Sequence, residues 1–80
     1  MEKLMKAQKT IGTKQTLKAI EKGIVEIVYI AKDAEHKVTN PVADFCKQKN
    51  ITVEYVDTMA ELGNACGIDV GAATAAILRK

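Results

Sequence analysis

Hydrophobic residues follow two different periods along this chain, and the periods alternate. Runs at 26–31 (EIVYIA) and 51–56 (ITVEYV) are nearly continuous in apolar, β-branched and aromatic residues, as buried strands are. A brief strand is also predicted at 9–12 (KTIG). Around these runs, apolar residues recur at helical spacing. The alternation predicts an α/β fold, in which strands and helices follow one another along the chain.

The first long helix is predicted at about 13–22, after a short helix at 2–8. Gly23 follows directly and is a residue type that commonly ends helices. The side predicted to face the core carries apolar residues at i, i+3 and i+7, namely Leu17, Ile20 and Ile24.

The second long helix is predicted to follow a polar loop at 32–37, at the carboxyl end of a strand, where ligand-facing loops gather in α/β sheets. Thr39 or Asn40 is expected to cap this helix, because Pro41 suits a first helical turn. Asn50 is expected to end it. Its apolar stripe comprises Val42, Phe45 and Cys46.

A third helix is predicted from Thr58 and Glu61, which have the spacing of a capping box. It is expected to stop near Gly67, and its inward residues are Met59, Leu62 and Cys66. The tail at 70–78 (VGAATAAIL) is ambiguous, since alanine favours a helix whereas the glycines and the Ile-Leu ending permit a strand. A strand is favoured, because it would complete the α/β alternation.

Composition restricts the class of protein. Eighty residues predict a single domain spanning 1–80, and 48% apolar content is enough for one core. One Phe, two Tyr and no Trp leave few rings on which bases could stack. Cys46 and Cys66 are predicted to be buried free thiols. With no signal peptide and no apolar run of spanning length, the sequence predicts a cytoplasmic protein with no membrane partner.

Motifs of catalysis and cofactor binding are absent from the sequence. It contains no GxSxG, Walker, GxGxxG or HExxH motif. His36 is the one histidine and is predicted to be solvated, and the neighbouring Asp33 and Glu35 lack a third group for acid–base chemistry. The sequence therefore predicts a protein that is not an enzyme and needs no cofactor or metal.

Positive charge is concentrated at the start of the chain. Residues 1–22 carry a net charge of +4 and residues 23–80 a net charge of −2, so the total of +2 hides the asymmetry. Lys14, Lys18 and Lys22 recur at every fourth position, which stacks them along one side of the predicted helix. This distribution favours a polyanionic partner.

The stretch at 12–23 (GTKQTLKAIEKG) has the properties of an anion-binding helix start. A Gly12 or Thr13 cap leaves the first backbone N–H groups free for an anion, and the Gln15 amide can both donate and accept hydrogen bonds at base edges. Two interpretations remain open at this point. The stretch is either a reader of nucleic-acid phosphates and bases or an ordinary amphipathic helix with a solvated lysine face.

A second candidate stretch lies at 62–71 (LGNACGIDVG). Its three glycines permit close approach of a ligand. Ile68, Asp69 and Val70 between the last two glycines either cover a ligand, such as an unstacked base, or plug the end of the core.

Four segments together resemble the kink-turn RNA-binding ribosomal-protein family, the L-seven-Ae-like proteins, and most of all its short bacterial members. In family order and spacing they are GTKQTLKAIEKG, IVYIAKDAE, FCKQKNITVEYV and LGNACGIDVGAA. The resemblance implies a three-layer α/β/α sandwich with a central mixed four-stranded sheet. It also implies binding of kink-turns, which are sharply bent RNA elements with tandem sheared G·A pairs.

The resemblance also implies a set of RNA-binding residues. The family's Gly-x-Asn-Glu-x-x-Lys motif falls on 12–18, so that two residues of this chain stand where other members read the G·A pairs. A lysine that contacts guanine and phosphate, a basic backbone contact, an acid that holds an extruded base and an apolar covering loop also have counterparts. The implied residues are Gly12, Thr13, Lys14, Gln15, Lys18, Lys22, Glu35, Ile68, Asp69 and Val70.

This chain departs from the family pattern at two places. Lys14 and Gln15 replace the more usual Asn and Glu, and Met59 stands where a basic residue is expected. An added lysine strengthens phosphate attraction while loosening base discrimination.

The sequence thus predicts a monomeric ribosome-associated or ribonucleoprotein component whose partner is a structured RNA, either ribosomal RNA or a regulatory mRNA element. The alternative is a protein–protein adaptor on the same fold, without selective RNA binding, that uses Ile68 and Val70 as an apolar patch.

Overall fold

A computed structural model describes residues 7–79, so most of the short helix predicted at 2–8 lies outside the described residues. Four strands and three helices alternate along the described part of the chain. They are β1 (Lys9–Ile11), α1 (Thr13–Lys22), β2 (Val25–Ala31), α2 (His36–Gln48), β3 (Thr52–Val56), α3 (Met59–Cys66) and β4 (Thr74–Leu78).

The strands form one mixed sheet in the order β1-β4-β2-β3. Strands β2 and β3 are parallel, whereas β4 runs antiparallel to β1 and β2 on either side of it. Strands β1, β2 and β3 therefore end where β4 begins. We call this end of the sheet the loop edge and the other end the opposite edge.

Side chains of the central strands alternate between two cores, as the two-residue period of a strand requires. Tyr29 and Ala31 pack with α3 on one face of the sheet. Val28 and Ile30 pack with α1 and α2 on the other face. The predicted three-layer α/β/α sandwich with a mixed four-stranded sheet is confirmed, and β4 settles the ambiguous tail as a strand.

Helix α1 has the predicted bounds, but its buried face differs from the predicted one. Its buried residues are Thr16, Ala19 and Ile20, while Leu17 is half-buried. The prediction that Ile24 faces the core is wrong, since Ile24 is 40% exposed. The helix ends before this residue, so the helical period no longer places its side chain.

Helix α2 begins earlier than predicted. Thr39 and Asn40 do not cap it, because the carbonyl of Glu35 accepts hydrogen bonds from the N–H groups of Val38 (2.9 Å) and Thr39 (3.1 Å) and closes the first turn there. Pro41 therefore lies inside the helix. The connecting loop shortens to residues 32–35, and His36 is an exposed helical residue.

Helix α3 confirms the predicted cap and core positions. The Glu61 N–H donates to the Thr58 hydroxyl at 3.0 Å, and Leu62 and Cys66 are buried. Both cysteines of the chain are free and buried, as predicted. None of the helices in residues 7–79 is long and apolar enough to cross a membrane.

Gly63 allows the chain after α3 to lie directly against that helix. A Cβ added at Gly63 would collide with the backbone carbonyl of Val70. This close approach seats residues 68–71 against the side of α3. The glycine at 63 is thus required by an internal contact of the protein.

We expect Gly63→Ala to destabilise the fold by about 1–3 kcal/mol, although alanine is the better helix former, because the added methyl overpacks a backbone contact. Asn64→Ala is the matched control, since Asn64 is exposed on the same helix and its loss should change stability by no more than about 0.5 kcal/mol. Urea unfolding of both variants measures the difference. Equal stability of the two would contradict the close contact.

Candidate nucleic-acid interface

The start of β4 joins three other segments at the loop edge. Residues 72–74 are consecutive, yet each makes a backbone hydrogen bond to a different part of the chain. The bonds run from Ala72 N–H to the Met59 carbonyl (3.0 Å), from Ala31 N–H to the Ala73 carbonyl (2.9 Å), and from Gly12 N–H to the Thr74 carbonyl (2.9 Å). The start of α1, the end of β2 and the start of α3 are thereby fixed relative to one another.

The N-terminus of α1 is open to an anion. Gly12 precedes the helix with a φ of +95°, a backbone conformation that residues other than glycine rarely adopt. Among residues 7–79, no side chain caps the helix, and no acidic residue lies in its first turn. Because the first N–H groups of a helix have no partner within it, those of residues 13–15 form a positive, donor-rich end.

Threonine hydroxyl groups connect the start of α1 to strands β1 and β4. The Thr10 and Thr16 hydroxyl oxygens lie 3.0 Å apart, and the Thr74 hydroxyl donates to that of Thr13 at 3.3 Å. Thr16 and Thr74 have no exposed surface. Sequence reasoning missed Thr10, Thr16 and Thr74, because a threonine in a strand or helix is usually explained without a polar partner.

The lysine stripe of α1 extends away from the loop edge. Lys14, Lys18 and Lys22 are all exposed, and so is Gln15. At a rise of 1.5 Å per residue, Lys22 lies roughly 13 Å along the helix from Thr13. Lys14 and Gln15 therefore flank the open N-terminus, Lys18 lies on the next turn, and Lys22 lies at the opposite edge.

The loops that follow β2 and β3 contact each other at the loop edge. The Asp33 carboxylate accepts a hydrogen bond from the Met59 N–H at 2.7 Å, and the Lys32 ammonium lies 3.4 Å from the Asp57 carboxylate. Glu35 is exposed at the start of α2. Met59 itself is half-buried against the core on the α3 face, so its side chain is partly committed to packing.

The residues after α3 differ in burial, so one of them plugs the core and the others are free to cover a ligand. Ile68 is half-buried and packs against the α3 core, so it helps to close that core. Asp69 and Val70 are exposed, and Val70 is 70% exposed. This segment leads into β4 at the loop edge, although it packs on the sheet face opposite to α1.

The loop edge therefore brings together most of the residues that the family resemblance implied. It includes Gly12, Thr13, Lys14, Gln15, Glu35, Asp69 and Val70, with Ile68 beneath and Lys18 one turn along α1. Lys22 is separated from them.

The two thiols and the one buried tyrosine have structural environments. Burial raises the pKa of Cys46 and of Cys66, and for Cys66 the nearby Lys9 partly opposes this rise. Both thiols are therefore protonated at neutral pH and are poor nucleophiles. Burial, together with the charges of Glu54 and Glu26, raises the pKa of Tyr29. Within residues 7–79, no three His, Cys, Asp or Glu side chains are placed to hold a metal ion.

The fold and the loop edge define an α/β/α protein with a helix start at one edge of its sheet, and comparison with known proteins identifies the family. The profile of the ribosomal protein L7Ae/L30e/S12e/Gadd45 family matches residues 1–80. The chain belongs to this family, which confirms the resemblance found in the sequence.

Two bacterial relatives and one solved structure are similar over most of the chain. "RNA-binding protein TTE2299" of Caldanaerobacter subterraneus subsp. tengcongensis is 55% identical over 69 residues, covering 86% of this chain and 84% of that protein. "RNA-binding protein BH0128" of Halalkalibacterium halodurans is 60% identical over 67 residues, covering 84% and 82%. The structure titled "Giardia lamblia 15.5kD RNA binding protein" superimposes with a TM-score of 0.86 at 25% identity, covering 99% of this chain and 66% of that one.

The Asp33–Met59 hydrogen bond generates a prediction about the loop edge. We expect Asp33→Ala to lower stability by about 1 kcal/mol and to expose the Met59 amide to faster hydrogen exchange, because a charged acceptor of an N–H group is lost. Asp33→Asn retains an acceptor oxygen and should have the smaller effect. Exchange at Met59 that is the same in both variants and the parent protein would show that this bond does not order the loops.

Proposed function

We propose that this protein binds kink-turn RNA and stabilises its bent form. The observation that carries the proposal is the open N-terminus of α1, with exposed Lys14, Gln15 and Lys18, fixed at the same edge of the sheet as the segment that carries the exposed Asp69 and Val70. The family and the names of the relatives support RNA as the ligand. Those names describe binding and no reaction, which supports a role without catalysis.

The helix start supplies groups for both parts of RNA recognition. Its N–H groups and lysines neutralise phosphates that the bend brings together. Gln15 offers a donor and an acceptor to the edges of the sheared G·A pairs. Lys14, in place of the family's more usual Asn, adds phosphate attraction at the base-reading position and should lower discrimination between RNA sequences.

The segment at 68–70 would cover nucleotides that leave the stack. Ile68 anchors the segment in the α3 core, so that Val70 presents an apolar side chain at a fixed place. Glu35 is exposed at the same edge and would accept a hydrogen bond from an extruded base. The protein would favour the kinked RNA because these contacts exist only when the bend brings helix and loop to one RNA element.

The wider role follows from the same interface. We propose that residues 1–80 act as one monomeric domain in a ribosomal or other ribonucleoprotein complex, with ribosomal RNA or a regulatory mRNA element as the partner. The exposed Val70 favours one competing function, a protein–protein adaptor that keeps the fold without selective RNA binding. Weak salt dependence of RNA binding would support that competing function.

A titration of the protein with a kink-turn RNA, by calorimetry, tests the proposal. The control RNA carries the same helices with the sheared G·A pairs replaced by Watson–Crick pairs. We expect much tighter binding to the kink-turn, because the control RNA does not place its backbone and loop nucleotides at the loop edge. Equal affinity for the two RNAs would reject selective recognition.

Two exposed side chains of α1, Lys18 and Gln15, should have separable effects on RNA binding. Lys18→Ala should weaken binding to both RNAs and reduce the slope of log affinity against log salt by about one, because a phosphate contact is lost. Gln15→Ala should mainly reduce the ratio of the two affinities, by about five-fold or more, because a base contact is lost.

Lys47→Ala is the matched control for Lys18→Ala, since it removes the same charge from an exposed position in the last turn of α2, away from the loop edge. An equal change of salt slope in these two lysine variants would mean that Lys18 acts only through the net charge of the protein.

A further inference from the structure

The two edges of the sheet differ in charge, and the edge with the proposed kink-turn site is the less cationic of the two. The loop-edge segments 12–15, 32–35, 57–58 and 67–73 contain two lysines and four carboxylates. The cavity at the opposite edge is lined by three cationic residues and one acid. The more cationic end of the described chain is therefore the one without the proposed kink-turn site.

This cavity lies where α1, α2 and β4 end. It has a volume of about 170 Å³, and its lining comprises Ile20, Glu21, Lys22, Gly23, Val25, Lys49, Ile51 and Arg79. Three separate elements each contribute one cation, namely Lys22 from α1, Lys49 from the end of α2 and Arg79 from the residue after β4. The backbone N–H of Arg79 donates a hydrogen bond to the Ile24 carbonyl at 2.7 Å. This bond holds the end of β4 against the turn after α1.

Helix dipoles explain only part of this arrangement. A lysine near a helix C-terminus stabilises the last carbonyl groups, which accounts for Lys22 and Lys49 individually. Arg79 belongs to no helix, yet it lines the same cavity. The lining of the cavity combines the buried Ile20 and Val25 with these three cations, whose side chains are all exposed to solvent.

The chemistry of the lining indicates which part of a nucleic acid it suits. Lysine and arginine side chains bind phosphate, and arginine does so with two parallel donors. The lining contains no aromatic ring on which a base could stack and no amide to read a base edge. Contact with the sugar–phosphate backbone, independent of sequence, fits this set of side chains.

We propose that this cavity binds the phosphate backbone of a second RNA segment while the loop edge holds the kink-turn. The length of β2 places the two sites roughly 20 Å apart. Lys22 would then act at the second site rather than beside Lys14. RNA as the ligand rests on the proposed function, whereas the position of the cavity and its charge do not.

The test uses the full chain saturated with unlabelled kink-turn RNA. A short, fully paired RNA duplex carrying a fluorophore is then added, and its anisotropy is measured over a range of salt concentrations. The variant Lys49→Gln with Arg79→Gln removes two cations from the cavity without touching α1. The matched control, Lys37→Gln with Lys47→Gln, removes two exposed cations that do not line the cavity.

We expect the duplex to join the preformed complex, and the cavity variant to reduce its salt slope by about two. The control pair should reduce this slope clearly less. The affinity of the cavity variant for the kink-turn should stay within about twofold of the parent protein, because distant sites act independently.

Two results would overturn the second site: no binding of duplex to the complex, or an equal loss in the control pair. Binding of a polyglutamate peptide in place of the duplex would also overturn it, since an acidic protein would then be the partner. Failure of the kink-turn RNA to bind would instead contradict the proposed function at the loop edge. In that case, binding of the duplex to the free protein would still test whether the cavity binds RNA.

Discussion

The backbone hydrogen bonds of residues 72–74 are the constraint on which the loop edge depends. These three residues enter β4, and they bond in turn to the start of α3, the end of β2 and the residue before α1. A central strand that runs antiparallel to both neighbours brings its own beginning to the end of theirs. The topology thus gathers segments that are far apart in the sequence, and the hydrogen bonds fix their spacing.

That spacing gives a short chain a composite surface at the loop edge, which we propose as the RNA-binding site. Gly12 contributes a helix start that no side chain caps, and the stretch after α3 contributes an exposed apolar residue on an anchored segment. Neither feature by itself identifies a ligand site, since helix starts and exposed valines are common in proteins. Their value comes from being held at one edge. With four carboxylates also present there, net charge is a weak explanation for RNA binding at this edge.

Periodicity predicted the elements well, because most of them follow single physical rules. The apolar runs became β2 and β3, the capping-box pair began α3, and the tail became β4. The predicted start of α2 is wrong because the prediction places Pro41 in the first turn. The Glu35 carbonyl closes the first turn earlier in the chain. The prediction that Ile24 faces the core is wrong because it extends the helical period past the end of α1.

The site was less predictable than the fold, because tertiary contacts define it. The Thr74–Thr13 hydroxyl pair joins residues 61 positions apart, which no local pattern reveals. The glycines at 62–71 indicate room for a ligand in the sequence, whereas Gly63 makes room for the backbone of the chain itself at Val70. The family resemblance located the candidate residues, but the cation-lined cavity at the opposite edge joins Lys22, Lys49 and Arg79 from distant parts of the chain, which only the tertiary structure reveals.

The central claim is that the helix start and the segment after α3 form one RNA-binding surface. A titration of isotope-labelled protein with kink-turn RNA, followed by NMR spectroscopy of the backbone amides, tests it most directly. The account predicts that the amides of residues 12–15 and of residues 68–70 shift together, with the same dependence on RNA concentration. Shifts in only one of these two segments, or shifts at the loop edge that follow two different binding curves, would contradict it.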